Sequence, residues 1–232
     1  MDQSLRTALQ GVTTATLTTV MLKRGIRTTW LKGTMPYATA ENRIVGPAFT
    51  MRFIPAREDL ATPEAWKSPN STRAAIEEMS KGCVCVVDAR GIDTAGVFGD
   101  ILTLRMKKRG VTGMVTDGVM RDSAGVKATD LPIWCSGTAA PAAIATMAFV
   151  GWQEPIGCGG TAVFPGDIIV ADEDGAVVIP QAIVGEVAAL ATEQEKFEAW
   201  IVGEVEKGCK LPGLYPPDDE TLARYKKEQE DG

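Results

Sequence analysis

The sequence predicts one mixed α/β domain in which helices and strands pack in layers. Two observations favour this class: helix and strand patterns alternate through the middle of the chain, and several short strands separated by tight turns follow from residue 132 onwards. The 232 residues can form one substantial core, and 24 glycines indicate many turns. We expect a single domain over residues 1–232, with residues 208–232 as a C-terminal arm or tail.

The predicted helices have recognisable start and stop signals. A first helix is expected over residues 2–25, ended by Gly25, and a second over residues 71–82, with Ser71 as its N-cap and Gly82 at its end. Residues 100–110 give a third helix with a glycine stop. Residues 192–208 form an amphipathic pattern, and the charged residues 218–232 indicate a terminal helix or tail after an extended LYPP arm. The apolar stripe of the amphipathic helix comprises Phe197, Trp200, Ile201 and Val205.

The predicted strands are apolar segments bounded by glycine, proline or acidic turns. The longest begins at Arg43 and alternates as a half-buried strand does, whereas the segment CVCVVDA is apolar throughout and indicates a buried strand. The six predicted strands cover residues 43–56, 83–89, 111–118, 132–135, 166–172 and 175–180.

Charge and hydropathy exclude two classes of partner. The formal net charge of −6 and the lack of a basic face argue against a nucleic-acid binder, since such proteins concentrate Lys and Arg where phosphates lie. The longest weakly polar run, residues 139–151, is too short to span a bilayer, and the N-terminus lacks the apolar stretch of a secretory leader. We therefore expect a soluble, cytoplasmic protein that binds neither nucleic acid nor membrane.

The absence of histidine restricts the chemistry. Ser-His and Cys-His nucleophile pairs, the usual zinc sites and an imidazole base are all excluded. The five cysteines show no repeated close spacing, so free buried thiols are predicted rather than a disulfide framework or metal site. Catalysis must therefore use carboxylates, Arg, Lys, Tyr, Cys or a metal held by oxygen.

Asp100 follows Gly99 where a loop enters a helix, and two interpretations stay open. Its carboxylate is typical of a group that caps the helix. The same junction leaves the backbone amides of Ile101 and Leu102 without helical partners, and such amides bind carboxylates or phosphates. A small anionic substrate at this junction is the second interpretation.

Arg121 and Asp122 follow a TDG turn after a strand, where functional groups of layered α/β proteins often lie. An exposed ion pair of structural origin is one interpretation. The other is a 2-oxo acid site, in which the carboxylate holds Mg²⁺ or Mn²⁺ and the guanidinium stabilises a developing enolate. Asp117 is expected to bond to local backbone. The glycines at 157–160 lack the pattern that binds dinucleotides or S-adenosylmethionine.

The motifs together resemble those of the RraA-like family. Asp100, twenty residues and then Arg121 and Asp122 reproduce a family signature, and FGD, VTDGVMRD, PGDIIVADEDGAVVIP and the late LYPP are similar to family landmarks over roughly residues 40–215. The family includes class II, metal-dependent 4-hydroxy-4-methyl-2-oxoglutarate/4-carboxy-4-hydroxy-2-oxoadipate aldolases and proteins named regulators of ribonuclease activity. The resemblance implies a β/β/α swivelling-type fold and trimers or hexamers with active sites between subunits.

The resemblance also implies roles for particular residues. Asp122 would coordinate Mg²⁺ or Mn²⁺, Arg121 would contact the pyruvate or enolate oxygen, and Asp100 would hold a catalytic water. Gly99 and the amides of Ile101 and Leu102 would bind the carboxylate of the 2-oxo acid.

A glutamate from the late helix of a neighbouring subunit should help position the catalytic water. Glu193, Glu195 and Glu198 are candidates, and counting back from the LYPP arm favours Glu198. The chain departs from the family aldolases at Gly125, where they carry an acid, so the substrate stays open.

The resulting hypothesis is a metal-dependent lyase of the class II pyruvate aldolase or oxaloacetate decarboxylase kind. Retro-aldol cleavage and decarboxylation both pass through the pyruvate enolate, which a metal and Arg121 would stabilise. The alternative is a non-catalytic protein that binds and regulates a ribonuclease. Residues 57–71 form a polar loop that either shapes the outer pocket or is simply a surface loop.

Overall fold

The computed structural model describes residues 1–38 and 43–231 and contains the predicted mixed α/β architecture. Over these residues, a nine-stranded sheet has the order β1-β11-β10-β3-β4-β5-β7-β2, with β9 paired to β3, and a two-stranded sheet joins β6 to β8. The strands are β1 (Trp30–Leu31), β2 (Met35–Ala38), β3 (Ile44–Pro55), β4 (Val84–Asp88), β5 (Gly113–Thr116), β6 (Val119–Met120), β7 (Ile133–Cys135), β8 (Gly137–Thr138), β9 (Met147–Trp152), β10 (Ile168–Asp172) and β11 (Gly175–Ile179).

All six predicted strands are present, and β3 joins the two parts of the large sheet. Its first residues pair antiparallel with β10, its middle pairs parallel with β4, and its end pairs antiparallel with β9. Strands β3, β4, β5 and β7 run parallel side by side. Because such strands are covered on both faces, they have continuous apolar sequences, and residues Val84 to Val87 are fully buried. Strand β9 was not predicted, although it completes one wall of the site.

Two predicted helices end earlier than expected. The helices are α1 (Gln3–Gln10), α2 (Thr14–Lys23), α3 (Thr72–Glu78), α4 (Asp100–Lys108), α5 (Ser123–Ala128), α6 (Val184–Glu206) and α7 (Asp219–Asp231). The helix expected over residues 2–25 is divided, because α1 ends at Gly11 and the hydroxyl of Thr13 caps α2 by accepting from Thr16 N at 3.1 Å. Helix α3 has the predicted Ser71 cap but ends at Met79, which is extended, rather than at Gly82.

The late helix α6 begins eight residues before its predicted start. Its first half packs Val187 and Ala191 into a core shared with α1, α2 and the sheet. Its second half carries the predicted apolar stripe, of which Ile201 is buried and Val205 is exposed. The periodicity therefore identified the helix correctly but not the extent of its buried face.

The C-terminal residues fold back onto α6 of the same chain. The stretch predicted as an extended arm, residues 211–217, forms turns, and α7 follows. The ring of Tyr225 lies 4.9 Å from that of Phe197, and Arg224 Nη2 lies 2.9 Å from the buried Glu204 Oε2. These contacts explain why the strongly charged helix α7 packs against α6.

Asp117 joins three loops behind the parallel strands. Its carboxylate accepts hydrogen bonds from Ala89 N at 2.8 Å, Gly91 N at 3.1 Å and Gly159 N at 3.1 Å. Burial raises the pKa of the Asp117 carboxyl, while these amide donors oppose the rise. Asp117 thus binds backbone amides, but they lie 26, 28 and 42 residues away, so the expectation of local backbone partners is wrong. No helix within residues 1–38 or 43–231 is both long and apolar enough to cross a membrane.

We expect Asp117→Asn to lower the free energy of unfolding by about 1–3 kcal/mol, because an amide group replaces a carboxylate oxygen that faces backbone donors. Urea denaturation of both proteins would measure the difference. Asp93→Asn is the matched control, since Asp93 is exposed in the nearby loop and should change stability little. Equal stability of the Asp117 variant and the native protein would contradict this role.

Candidate active site

Six of the seven predicted site residues meet in one cavity of about 740 Å³. Its walls come from the end of β3, the loop before α3, residues 96–102, the start of α5 and residues 142–150. The cavity is lined by six of the predicted residues: Gly99, Asp100, Ile101, Leu102, Arg121 and Asp122. Residues twenty or more positions apart in sequence thus contribute to one site.

A short backbone pairing places these residues side by side. Val97 N donates to Val119 O at 2.8 Å, and Arg121 N donates to Phe98 O at 3.0 Å. The segment that enters α4 therefore runs along the segment that enters α5. Helix α4 and strands β5 and β6 lie between the two segments, which accounts for the twenty residues between Asp100 and Arg121.

Two glycines allow this close approach. A Cβ atom at Gly96 would lie 2.6 Å from Arg121 Cβ, and one at Gly99 would lie 2.3 Å from Asp122 Oδ2. Both distances are shorter than van der Waals contact, so any side chain at these positions would displace the Arg-Asp pair. Motif reasoning identified Gly99 only as a substrate-binding position and did not identify Gly96.

Asp122 and Arg121 present their charged groups together. Asp122 has left-handed backbone angles, φ 53° and ψ 47°, immediately before α5. Such angles cost free energy in a non-glycine residue and are found most often at functional positions. Arg121 Nε lies 3.2 Å from Asp122 Oδ2 but is not aligned for a hydrogen bond, so this buried donor has no partner among the described residues. A donor of this kind is ready to bind a ligand oxygen.

Asp100 binds the amide of the next residue of its own helix. Its Oδ1 accepts from Ile101 N at 2.7 Å, but Gly99 is the N-cap residue and no side chain caps α4, so Asp100 is not the N-cap that one interpretation expected. The next amide, that of Leu102, has no acceptor within residues 1–38 and 43–231. The helix start therefore retains a free donor and the positive end of the helix dipole.

Gly125 packs directly against Asp100. A Cβ atom there would lie 2.6 Å from Asp100 Oδ2 and 2.7 Å from Asp100 Cβ. The space that a side chain at 125 would need is occupied by Asp100. The glycine and the position of the Asp100 carboxylate are therefore coupled.

Glu198 does not line the cavity of its own chain. It lies on the second half of α6, where its Oε1 accepts from Gln194 Nε2 at 2.8 Å. Glu195 is engaged internally, because its carboxylate accepts from Thr13 N and from Thr13 Oγ1. Glu193 pairs with Lys196 on the surface. Of the three candidate glutamates, Glu195 is thus already used at the start of α2.

The loop over residues 57–71 is largely exposed, and part of it lines the cavity. Its side chains Leu60 and Trp66 face the cavity together with Arg73 of α3. Phe149 of β9 also lines the cavity, and sequence reasoning did not select it because no strand was predicted there. The lining therefore combines charged side chains with large apolar ones.

The donors of the cavity suit a metal that keeps much of its water. Residues 1–38 and 43–231 contain no group of three or more His, Cys, Asp or Glu side chains that could hold a metal ion. Mg²⁺ commonly binds one or two carboxylates and retains several waters. The half-exposed carboxylate of Asp122, with Asp100 in the same cavity, fits that kind of site.

The cysteines do not contribute reactive groups. All five are free within the described residues, and only Cys209 is not buried. Burial raises the pKa of Cys83 and of Cys135 to about 11, so both remain thiols at neutral pH. The prediction of free buried thiols is confirmed for Cys83, Cys85, Cys135 and Cys158, whereas Cys209 is free but only half-buried.

Fold and site together define a mixed α/β protein with a carboxylate- and arginine-lined cavity at the start of two helices. The family model RraA-like, described as Aldolase/RraA, matches residues 14–178. The chain belongs to the RraA-like family.

Relatives and solved structures support that assignment. The chain is 36% identical over 151 residues to a protein of Halalkalibacterium halodurans named "Putative 4-hydroxy-4-methyl-2-oxoglutarate aldolase", a match that covers 65% of this chain and 66% of that one. Matches to the curated relatives span just under two thirds of their own length or less.

Two crystal structures share the fold over most of the chain. An uncharacterized protein from Pseudomonas syringae has a TM-score of 0.78 and 27% identity, with 93% of this chain and 98% of that chain covered. Streptomyces coelicolor RraAS2, described as an unusual member of the RNase ES inhibitor RraA family, has a TM-score of 0.76 and 35% identity, with coverage of 86% and 96%.

We expect Gly125→Ala to lower the free energy of unfolding by about 1–3 kcal/mol, because the added methyl group overlaps Asp100. Gly203→Ala is the matched control, since a Cβ atom in that helix meets nothing within 4 Å and Ala should be neutral or stabilise by up to about 1 kcal/mol. Thermal unfolding of both variants measures the difference. If both gained stability, the coupling of Gly125 to Asp100 would be disproved.

Proposed function

We propose that the protein is a divalent-metal-dependent carbon-carbon lyase that releases pyruvate from a 2-oxo acid. The reaction is a retro-aldol cleavage, an oxaloacetate-type decarboxylation, or both. The observation that carries the proposal is the meeting of Asp100, Arg121, Asp122 and the start of α4 in one cavity, where Arg121 Nε is buried and donates no hydrogen bond among the described residues. A chain without histidine has few other groups able to support such chemistry.

The start of α4 is the proposed seat of the substrate carboxylate. The free Leu102 amide and the helix dipole favour an anion there. The Ile101 amide now donates to Asp100, and binding of the substrate carboxylate would replace that bond. Arg121 would then donate to the carbonyl oxygen at C2 of the same substrate.

Arg121 would act on the charge that develops during bond cleavage. When the C3–C4 bond breaks, its electron pair moves through C3 and C2 onto the C2 oxygen and gives the pyruvate enolate. In the retro-aldol reaction the C4 hydroxyl loses a proton and becomes a carbonyl, whereas in the decarboxylation carbon dioxide leaves. A water held by Asp100 would return a proton to C3, and pyruvate is formed.

Asp122 would hold the Mg²⁺ or Mn²⁺ ion. Such an ion supplies Lewis-acid stabilisation of the enolate oxygen when it is bound. The Arg121 guanidinium beside Asp122 would add a second positive charge at that oxygen. Positive charges that are fixed in position beside a developing negative charge commonly provide a large part of an enzyme's rate enhancement.

A second copy of the chain would complete the site with Glu198. Two observations support this choice. The Glu198 carboxylate lies outside the cavity of its own chain, and the carboxylate of Glu195, another candidate, already accepts a hydrogen bond from Thr13 N. A closed homotrimer or homohexamer would bring α6 of one subunit to the cavity of the next.

The second candidate function is binding and regulation of a ribonuclease. The similarity to RraAS2, at 35% identity over 86% of this chain, favours it. The two functions differ in what they need. A lyase requires the charges of Arg121 and Asp122, whereas a binding surface tolerates their loss if the fold is intact.

We expect Arg121→Ala and Asp122→Asn to lower kcat for pyruvate release by about 100-fold or more, because each removes a charge that acts on the enolate. Oxaloacetate and 4-hydroxy-4-methyl-2-oxoglutarate are the substrates, assayed with Mg²⁺ or Mn²⁺ and with EDTA, which should abolish turnover. Asp93→Asn should retain full activity. Full activity of the Asp122 variant, or turnover that survives EDTA, would contradict the proposal.

Mixed assemblies test whether Glu198 acts in the neighbouring subunit. Glu198→Gln and Arg121→Ala should each be inactive alone, and refolded mixtures of the two should recover part of the native activity, since some sites then contain both native residues. Glu193→Gln is the matched control and should be active alone. An inactive mixture whose subunits demonstrably exchange would exclude a site shared in this way.

A further inference from the structure

The backbone amide of Ile101 has two carboxylates that can accept a hydrogen bond from it. Asp100 Oδ1 accepts from Ile101 N at 2.7 Å. The substrate carboxylate is proposed to bind at the same helix start, where the positive end of the α4 dipole lies. Because a backbone amide carries a single N–H, it makes one strong hydrogen bond of this kind at a time. Asp100 and the substrate carboxylate therefore compete for Ile101 N.

The Asp100 carboxylate is held by this one hydrogen bond. Within residues 1–38 and 43–231, Oδ2 of Asp100 accepts from no donor, and neither oxygen pairs with a Lys or Arg side chain. The carboxylate of Asp122 differs, because Arg121 Nε lies 3.2 Å from its Oδ2. A single hydrogen bond contributes little net free energy to a folded protein. Asp100 can thus leave Ile101 N at a small cost.

Gly125 limits where a displaced Asp100 carboxylate can go. A Cβ atom at Gly125 would lie 2.6 Å from Asp100 Oδ2, so the backbone of α5 closes that side of the carboxylate. Asp100 also lines the cavity and is only half-buried. A carboxylate that leaves Ile101 N therefore turns toward the cavity, where Arg121 and Asp122 lie and where the substrate is proposed to react.

Two neighbouring donors can receive a ligand without breaking a hydrogen bond. The Leu102 amide has no acceptor within the parts of the chain that the structure describes. Arg121 Nε is buried and donates no hydrogen bond to those same residues. A 2-oxo acid carries a carboxylate beside a carbonyl, and these two groups match the amides and the guanidinium. The substrate can therefore bind Leu102 N first and take Ile101 N from Asp100 afterwards.

We propose that the substrate carboxylate displaces Asp100 from Ile101 N, and that this exchange releases the Asp100 carboxylate to hold its catalytic water. The inference rests on the proposed lyase function and describes the regulation of the same site. No covalent bond changes in the exchange, since one N–H···O bond breaks and another forms. Asp100 thus lowers the affinity of the site for anions, and it becomes available for proton transfer when a 2-oxo acid is bound.

Calorimetry with pyruvate at a fixed Mg²⁺ concentration compares Asp100→Ala with Asp100→Asn. Both variants lack the negative charge, but the side-chain oxygen of Asn still accepts from Ile101 N. Asp100→Ala should therefore bind pyruvate roughly 3- to 10-fold more tightly than Asp100→Asn. Asp93→Ala is the control and should bind as the native protein does, because Asp93 is exposed and outside the cavity. Equal affinities of the two Asp100 variants overturn the inference.

A crystal structure of the native protein with pyruvate and Mg²⁺ tests the exchange without a variant. The pyruvate carboxylate should lie within hydrogen-bonding distance of both Ile101 N and Leu102 N, and the Asp100 carboxylate should face the cavity. Pyruvate bound to Leu102 N while Asp100 Oδ1 stays on Ile101 N, or pyruvate bound away from the start of α4, contradicts the inference.

Steady-state decarboxylation of oxaloacetate separates the two roles of Asp100. Asp100→Ala should lower kcat by about 100-fold or more, because the catalytic water loses its carboxylate, and should also lower KM. Asp100→Asn should lower kcat to a similar degree with a smaller change in KM. A purely structural role would not produce this difference between the KM values. A KM that rises in both variants contradicts the competition.

The outcomes distinguish failure of the two proposals. Metal-dependent turnover by the native protein, together with equal pyruvate affinities of the two Asp100 variants, would support the lyase and overturn the exchange. Tighter pyruvate binding by Asp100→Ala than by Asp100→Asn, without pyruvate release from any substrate by the native protein, would contradict the lyase and support the exchange at Ile101 N. Neither binding nor turnover would contradict both.

Discussion

The backbone pairing between residues 96–98 and residues 119–121 is the contact that creates the site. Hydrogen bonds from Val97 N and Arg121 N bring the starts of α4 and α5 together, and with them the two acids. The pairing is close because Gly96 and Gly99 leave room for the side chains of Arg121 and Asp122. A methyl group at either glycine would separate the charged groups, so the chemistry depends on an absence of side chains as much as on their presence.

The strands of the large sheet support the pairing between residues 96–98 and 119–121 and contribute to the cavity wall. The parallel strands β4 and β5 are fully buried, and they end next to the loops that Asp117 holds together. Strand β3 is long enough to pair with β10 at one end and β9 at the other, so its last residues form part of the cavity wall.

Local signals in the sequence were sufficient for six of the eleven described strands and for most of the predicted site residues. Buried strands such as β4 are continuous apolar segments, Ser71 marks the start of α3, and the Asp100, Arg121 and Asp122 spacing identified the cavity residues. The ends of elements were harder to predict. The break between α1 and α2 depends on Thr13, whose hydroxyl caps α2 and also donates a hydrogen bond to Glu195, 182 positions later in the chain.

The sequence by itself determined which groups are available for chemistry: carboxylates and a guanidinium, with no histidine. Only the tertiary structure decided that Leu60, Trp66 and Phe149 share one cavity, and that α7 packs on α6 instead of extending as an arm. The physical reason is that helix and strand periodicity depend on near neighbours, whereas a cavity is formed by side chains from distant segments. Their proximity is set by how the sheet and its helices pack.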